Sequence, residues 1–176
     1  MKPLSVLGLL ACAAALGAQL VGRGVVLPEL AAQSNLIDAN LVVTLSEPLH
    51  LRIAEVVLAA HLLVAASASR WLEARWATSV ALVLVGLSGL QRFVILPAMY
   101  GAWSMADLVA ARPIEHVLMG ERMRWQDNIL VGVMTLLQLS LFAAAARMMR
   151  GAKADAPANA EPSTPRAPAE TLAAAA

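Results

Sequence analysis

The sequence predicts an all-α integral membrane protein with four transmembrane helices, arranged as two similar helical hairpins. Hydrophobic residues make up 60% of the chain and charged residues only 14%, and the mean hydropathy is +0.70. A soluble domain is nearer half apolar and a quarter charged. This chain therefore has too little polar surface to cover itself in water.

Four apolar runs approach the roughly 20 residues that a helix needs to cross about 30 Å of hydrocarbon. Within lipid the backbone must satisfy its own hydrogen bonds, and helices rather than barrel strands fit these lengths. Aromatic residues fall near the ends of the runs, as interfacial side chains should. The predicted spans cover residues 4–27, 49–69, 77–99 and 129–146, and the aromatic residues are Trp71, Trp76, Tyr100, Trp103 and Trp125.

The first run begins like a secretory signal, with "MKPLSVLGLLAC" at residues 1–12. Its apolar stretch continues past Cys12 to Pro28, well beyond the core of a signal peptide. We therefore expect the first run to be a retained span. A single cysteine leaves no intramolecular disulfide and no cysteine-rich metal site.

Four spans place both termini on one side of the membrane. Six Lys and Arg near the span ends lie on the terminal side and six on the other. Setting aside Arg23, Arg52, Arg92 and Arg124, which lie within or at the ends of helices, leaves six against two and predicts cytoplasmic termini in a cell inner membrane. We expect residues 1–150 to form the membrane domain. Residues 151–176 are rich in Ala and Pro and predict a disordered cytoplasmic tail.

The chain contains an internal repeat. "GRGVVLP" at 22–28 matches "QRFVILP" at 91–97 after a shift of 69 residues, and "RIAEVVLA" from Arg52 matches "RWQDNILV" from Arg124 after a shift of 72. Two motifs in the same order indicate a duplicated hairpin. Since two helices separate the copies, the copies share one topology, with a pseudo-two-fold axis along the membrane normal.

The repeated arginines require partners. Arg23 lies about 7.5 Å inside the end of the first span and Glu55 about 10 Å into the second, at 1.5 Å per residue. Their similar depth predicts an Arg23–Glu55 ion pair, and the repeat predicts Arg92–Asp127 in the second hairpin. Snorkelling to headgroups and direct ligand contact are the alternatives for both arginines. Spacings of three residues also place Arg52 with Glu55 and Arg124 with Asp127 on one helix face.

Histidines offer a second kind of site. His50 and His61 are three helical turns apart and share a face. A mixed histidine and carboxylate metal site is one interpretation, and His61 as an axial haem ligand is another. Interhelical hydrogen bonding is the third. The candidate ligand set is His50, His61, His116, Glu47 and Glu115.

The span ends resemble those of small four-helix membrane proteins of unknown function, the transmembrane protein 205-like group and its bacterial relatives. "VVLP" and "VILP" at the ends of spans one and three look like that group's aliphatic–Pro ends, and "PLHLR" at 48–52 looks like its Leu–His opening. The fourth span opens with "RMRWQDN" and lacks the histidine, which departs from the pattern. The resemblance covers residues 4–147 and implies a fold and a location but no activity.

These patterns predict a multi-pass inner-membrane protein with a non-enzymatic role in interaction, small-molecule binding or permeation. No nucleophile–base pair or phosphate-binding glycine loop is present. A net charge of +1 leaves no basic surplus for a nucleic acid. The expected partners are the lipid bilayer and a second copy or another membrane protein, with no cofactor. The alternative is a haem- or metal-binding redox protein, and a secondary transporter would require dimerisation. We expect the contact surface on the loops near 29–48 and 101–122.

Overall fold

The computed structural model describes residues 3–32, 38–71 and 75–154, and within these ranges the protein is helical, with no β-strand. Within the described ranges, four helices are long and apolar enough to cross a membrane. The predicted helical class is therefore confirmed. The terminal tail predicted at 151–176 lies outside the described residues, except for 151–154, which continue the last helix.

The first and third helices share an unusual construction. The first, α1, is α-helical over Pro3–Val21, widens into a π-helical turn at Gly22–Val26 and resumes over Leu27–Ala32. The third, α3, repeats this with Arg75–Leu90, a π turn at Gln91–Ile95 and Leu96–Ser104. Each π turn is the repeated sequence motif, and each places the motif's arginine as its second residue.

Proline explains why the helices widen at these points. Pro28 and Pro97 lack the N–H that an α-helix needs, and their rings clash with the carbonyl four residues earlier. In the wider turn the N–H of Leu27 bonds to the carbonyl of Gly22, and the N–H of Leu96 bonds to that of Gln91. Each of these bonds joins an N–H to the carbonyl five residues earlier. The wider turn accommodates the proline that follows, so the helix continues instead of ending.

The other two helices are single long segments. The second, α2, covers Ala39–Trp71 and carries Pro48 inside it, and the fourth, α4, covers Ile114–Ala154. Residues predicted as loops near 29–48 and 101–122 are therefore largely helical where described. The helices are longer than the predicted spans. The error has a physical cause: hydropathy marks only the part of a helix that lies in lipid, and it cannot detect the polar turns beyond.

Small residues let the helices pack closely around a layered core. One apolar layer joins all four helices through buried residues that include Cys12, Val64, Leu84 and Leu141. A second contact packs Ala15 of α1 against Val57 and Ala60 of α2. A third joins Ala54 of α2 to Leu96, Met99 and Tyr100 of α3. Large apolar side chains cover the outer faces, as lipid contact requires, among them Leu10, Leu82, Phe93 and Leu136.

The connection between α3 and α4 is tied to the start of α2. Asp107 and Arg112 exchange two backbone hydrogen bonds of 2.7 and 3.1 Å. The Asn40 amide donates to the Asp107 carboxylate at 3.1 Å, and the Asn40 carbonyl oxygen accepts from the N–H of Leu108 at 2.8 Å. Because Asn40 lies one residue into α2, these bonds fix the connection across the open end of the bundle.

A close approach of α4 to α3 requires glycine at position 120. A Cβ there would overlap the Trp103 indole, which is rigid, whereas a Cβ at Gly132 would meet open space. We expect Gly120→Ala to destabilise the fold by about 1–3 kcal/mol through overpacking. Gly132→Ala on the same helix should instead be neutral or stabilising by up to about 1 kcal/mol. Thermal unfolding of both variants in detergent, followed by circular dichroism, measures this difference, and equal melting temperatures would contradict the close contact.

Asp107 provides a pH-dependent test of the tied connection. The Asn40 side-chain amide and the N–H groups of Ala110 and Val109 hold the pKa of Asp107 below its usual 3.8. Since the folded pKa is lowered, the stabilisation is complete above 3.8 and is lost as the pH falls through the folded pKa. We expect Asn40→Ala to move the Asp107 titration upward towards 3.8, measured by carbon NMR of the carboxyl. Ser104→Ala, which removes a bond to Gly101 only, is the control. An unmoved titration in Asn40→Ala would refute the account.

Candidate functional site

A buried ion pair joins the first and last helices. The Arg23 guanidinium of α1 donates to the Asp127 carboxylate of α4, and only 14% of the arginine side chain and 2% of the aspartate side chain are exposed. The Gln91 amide of α3 donates to the other Asp127 oxygen at 2.8 Å. Both carboxylate oxygens are thus satisfied. Buried charges are stable only when paired and hydrogen-bonded in this way.

His50 extends this cluster to α2. The Arg23 guanidinium donates to His50 Nε2 at 2.6 Å, and because arginine can only donate, Nε2 must accept. The proton of the neutral ring therefore lies on Nδ1, which donates to the Tyr100 hydroxyl at 3.0 Å. Tyr100 in turn donates to Ser46 at 3.5 Å. One hydrogen-bonded chain thus links side chains from all four helices.

A second ion pair joins the two middle helices. Arg92 of α3 donates through Nε and Nη2 to one Glu55 oxygen, at 3.2 and 2.7 Å. Arg52 donates to the other Glu55 oxygen at 2.7 Å, as its spacing of three residues predicts, but 80% of the Arg52 side chain is exposed. The Arg92 side chain is only 21% exposed, so Arg92–Glu55 is the better shielded contact.

The pairing predicted within each hairpin is wrong. Arg23 contacts Asp127 rather than Glu55, and Arg92 contacts Glu55 rather than Asp127. Depth along the helices predicts which layer a charge occupies, and all four residues do share one layer. The rotation of α2 decides the partner, because α2 packs on both α1 and α3 and turns Glu55 towards Arg92 of α3. Arg124 also departs from prediction, since it pairs with Glu121 instead of Asp127.

The buried ion pair lies at the floor of a cleft of about 630 Å³ that opens among the helix ends. Arg23, His50, Tyr100 and Asp127 supply the polar floor. Arg124, Glu121 and Asn128 lie at its edge on α4. The walls are mainly apolar and include Leu27, Val42, Val43, Met99, Trp103 and Val117. An apolar cleft with a few convergent polar groups is typical of small-molecule sites.

The predicted metal ligands are not brought together. His50 serves the ion-pair cluster, and Glu47 lines an adjoining pocket of about 270 Å³ that shares Tyr100 and Trp103 with the cleft. Glu115 and His116 lie in the first turn of α4, where Glu115 is exposed. Among the described residues, no three His, Cys, Asp or Glu side chains are grouped to hold a metal ion.

His61 forms a separate buried cluster deeper in the bundle. The Gln138 amide of α4 donates to His61 Nε2 at 2.7 Å, which leaves the ring proton on Nδ1. Nδ1 donates to the Ser88 hydroxyl of α3 at 2.5 Å, and Ser88 donates to the carbonyl of Leu84. Both ring nitrogens are therefore occupied by side chains. A haem iron at His61 would have to displace one of these bonds.

The sequence did not assign two residues of the ion-pair cluster, Tyr100 and Gln91, to a site. Tyr100 was expected as an interfacial aromatic residue, yet only 3% of it is exposed and it orients His50. Gln91 lies within the third predicted span as the first residue of the repeated motif, and its role is visible only through its contact with Asp127. A single sequence offers no signal for either contact, because each depends on how neighbouring helices are rotated.

Comparison of the chain with protein-family models, with curated proteins and with solved structures returns no match.

A double-mutant cycle distinguishes the observed pairing from the predicted one. Either Arg23→Met or Asp127→Leu leaves the other charge buried and unpaired, which should cost about 3–5 kcal/mol of unfolding free energy. Combining the two should cost clearly less than the sum, because neither charge remains. Unfolding in a mixed-detergent titration measures all three variants.

The matched control for this cycle combines Arg23→Met with Glu55→Leu. Arg23 and Glu55 are not partners in the structure, so their effects should add within about 0.5 kcal/mol. Arg52→Ala, at the exposed end of the second pair, should cost no more than about 1 kcal/mol. Strong coupling between Arg23 and Glu55 would contradict the observed pairing and support the Arg23–Glu55 pair predicted from the sequence.

Proposed function

We propose that the protein is a multi-pass membrane protein that binds a small, lipid-soluble molecule with an uncharged polar head group in the cleft. The observation that carries this proposal is the cleft itself: apolar walls from all four helices converge on a charge-balanced, hydrogen-bonding floor. The binding role is non-enzymatic, and no cofactor is needed for it.

The depth of the cleft supports entry from the membrane surface. About 20 residues separate Arg147, near the terminal-side end of α4, from Asp127, which corresponds to about 30 Å of helix. This distance matches the hydrocarbon thickness, so the ion-pair layer falls at the opposite membrane boundary. The helices continue beyond that layer. The cleft lies on the outer side of that layer, so an amphipathic molecule from the membrane surface can reach it, with its head group on the floor and its tail along the apolar walls.

The charges of the cleft favour an uncharged head group. Arg23 is neutralised by Asp127, and Arg124 at the edge is neutralised by Glu121. A charged ligand would have to break one of these pairs or remain unbalanced in a poorly solvated site. Guanidinium N–H groups and the Asn128 side-chain amide are donors, so we expect a head group that accepts hydrogen bonds, such as a carbonyl.

The two hairpins are best explained by an internal repeat. Its strongest support is that both sequence copies, 69 residues apart, form a π turn with an arginine at the same position and a proline just beyond it. We also propose that both termini are cytoplasmic in the inner membrane, on the strength of the terminal-side Lys and Arg excess. Membership of the transmembrane protein 205-like group remains a proposal that rests on the aliphatic–Pro span ends.

Trp103 can report occupancy of the cleft. The chain has four tryptophans, and replacing Trp71, Trp76 and Trp125 by Phe leaves Trp103 as the single tryptophan, which can be excited without exciting Tyr100. A benzoquinone with a decyl tail quenches tryptophan and has an uncharged, accepting head group. We expect saturable quenching of Trp103 by this probe. Decan-2-one, which is neutral and accepting, should compete with it, whereas decyl phosphate and decyltrimethylammonium should not.

A pair of variants on α4 serves as the control. Val117→Phe narrows the cleft and should weaken quenching at least tenfold in apparent affinity, while Leu136→Phe, on an exposed outer face, should leave it unchanged. Quenching that rises linearly with probe and is equal in both variants would indicate simple partitioning into detergent. That result would contradict the proposed binding function.

A further inference from the structure

Two buried clusters of polar side chains follow one another from the cleft floor towards the middle of the bundle. The cluster around Asp127 includes Gln91, and the cluster around His61 includes Ser88. Gln91 and Ser88 are three residues apart on α3, so about one helical turn separates the two clusters along the bundle axis. Both clusters are buried. Their side chains therefore extend the polar interior from the cleft floor towards the middle of the bundle.

Gln19 lies in the interval between the clusters. Gln19 lies four residues after Ala15 and four residues before Arg23, so it is one turn from each on the same face of α1. Ala15 packs against Val57 and Ala60, at the level of the His61 cluster, whereas Arg23 contacts His50 in the upper cluster. Gln19 is only 3% exposed. Along the bundle axis, Gln19 therefore lies between the two groups of polar residues.

Three buried polar atoms in this region have no hydrogen-bond partner within the described protein. They are both side-chain polar atoms of Gln19 and the Gln138 side-chain oxygen. A buried amide without hydrogen-bond partners is strongly unfavourable. Inside a membrane bundle, lipid tails cannot supply the missing donors and acceptors. Buried water typically makes about three hydrogen bonds to groups of this kind. Water would supply the acceptor and donors that the Gln19 amide and the Gln138 oxygen lack.

We propose that water molecules occupy the bundle interior at Gln19 and connect the Asp127 cluster with the His61 cluster. The chain of hydrogen bonds then runs from the cleft floor to His61. Beneath it, the apolar layer that includes Cys12, Val64, Leu84 and Leu141 closes the interior towards the terminal side. The result is a hydrated half-channel that leads from the cleft floor to the His61 cluster.

Water-edited solid-state NMR in lipid bilayers tests the hydration directly. The experiment measures how fast magnetisation passes from water to a labelled side chain. Gln19 can be assigned in the unaltered chain, because it is the only one of five glutamines that lies between an alanine and a leucine. Exposed Gln126 provides the wet reference and the buried methyl groups of Leu141 the dry one. We expect the Gln19 and Gln138 amides to build up within twofold of the Gln126 rate.

Build-up at Gln19 as slow as at Leu141 would overturn the proposal. A second measurement tests the connection: Gln19→Leu should lower water transfer to the His61 ring at least threefold, without changing it at Gln126. An unchanged His61 signal in that variant would show that no water path passes Gln19. Should the variant not fold, the measurement on the unaltered chain decides the question. Neither result depends on whether the cleft holds a ligand.

Discussion

The buried ion pair between Arg23 and Asp127 is the constraint on which the rest of this bundle depends. A charge in a poorly solvated interior must be paired and hydrogen-bonded, so α1 and α4 are held at one fixed register. The second aspartate oxygen fixes Gln91 of α3, and the arginine fixes His50 of α2. All four helices are therefore aligned by one carboxylate and one guanidinium, at the level where the cleft begins.

The π turns and the ion pairs are parts of one construction. Each arginine is the second residue of a widened turn that accommodates a proline a few residues later. The widening lets α1 and α3 continue past Pro28 and Pro97, which extends the cleft walls beyond the charged layer. The sequence motif thus carries two functions at once, a buried charge and an uninterrupted helix. Its recurrence in both halves of the chain gives the bundle two ion pairs, which lie side by side in one layer.

Polar and apolar layers alternate along the axis of the bundle. The connection tied by Asn40 and Asp107 lies at the open end, followed by the cleft, the ion-pair cluster, the His61 cluster and the apolar layer. Such an order favours access from one end only. In the binding role that we propose, the apolar walls and the neutral floor would hold a lipid-soluble molecule, and the amides below the floor would hold water. The proposed environments thus differ along the axis, one for an amphipathic ligand and one for hydrogen-bonded solvent.

Hydropathy, proline spacing and the positions of the arginines determined the number of helices, their approximate depth and the layer that the charges share. These properties are local to one helix, and the sequence carries them directly. The tertiary structure alone decided that Arg23 pairs with Asp127, that His50 turns to Tyr100 and that His61 is occupied by Ser88 and Gln138. Those contacts depend on the lateral order and rotation of the helices. Packing between small residues sets that order, and many alternatives satisfy the same hydropathy pattern.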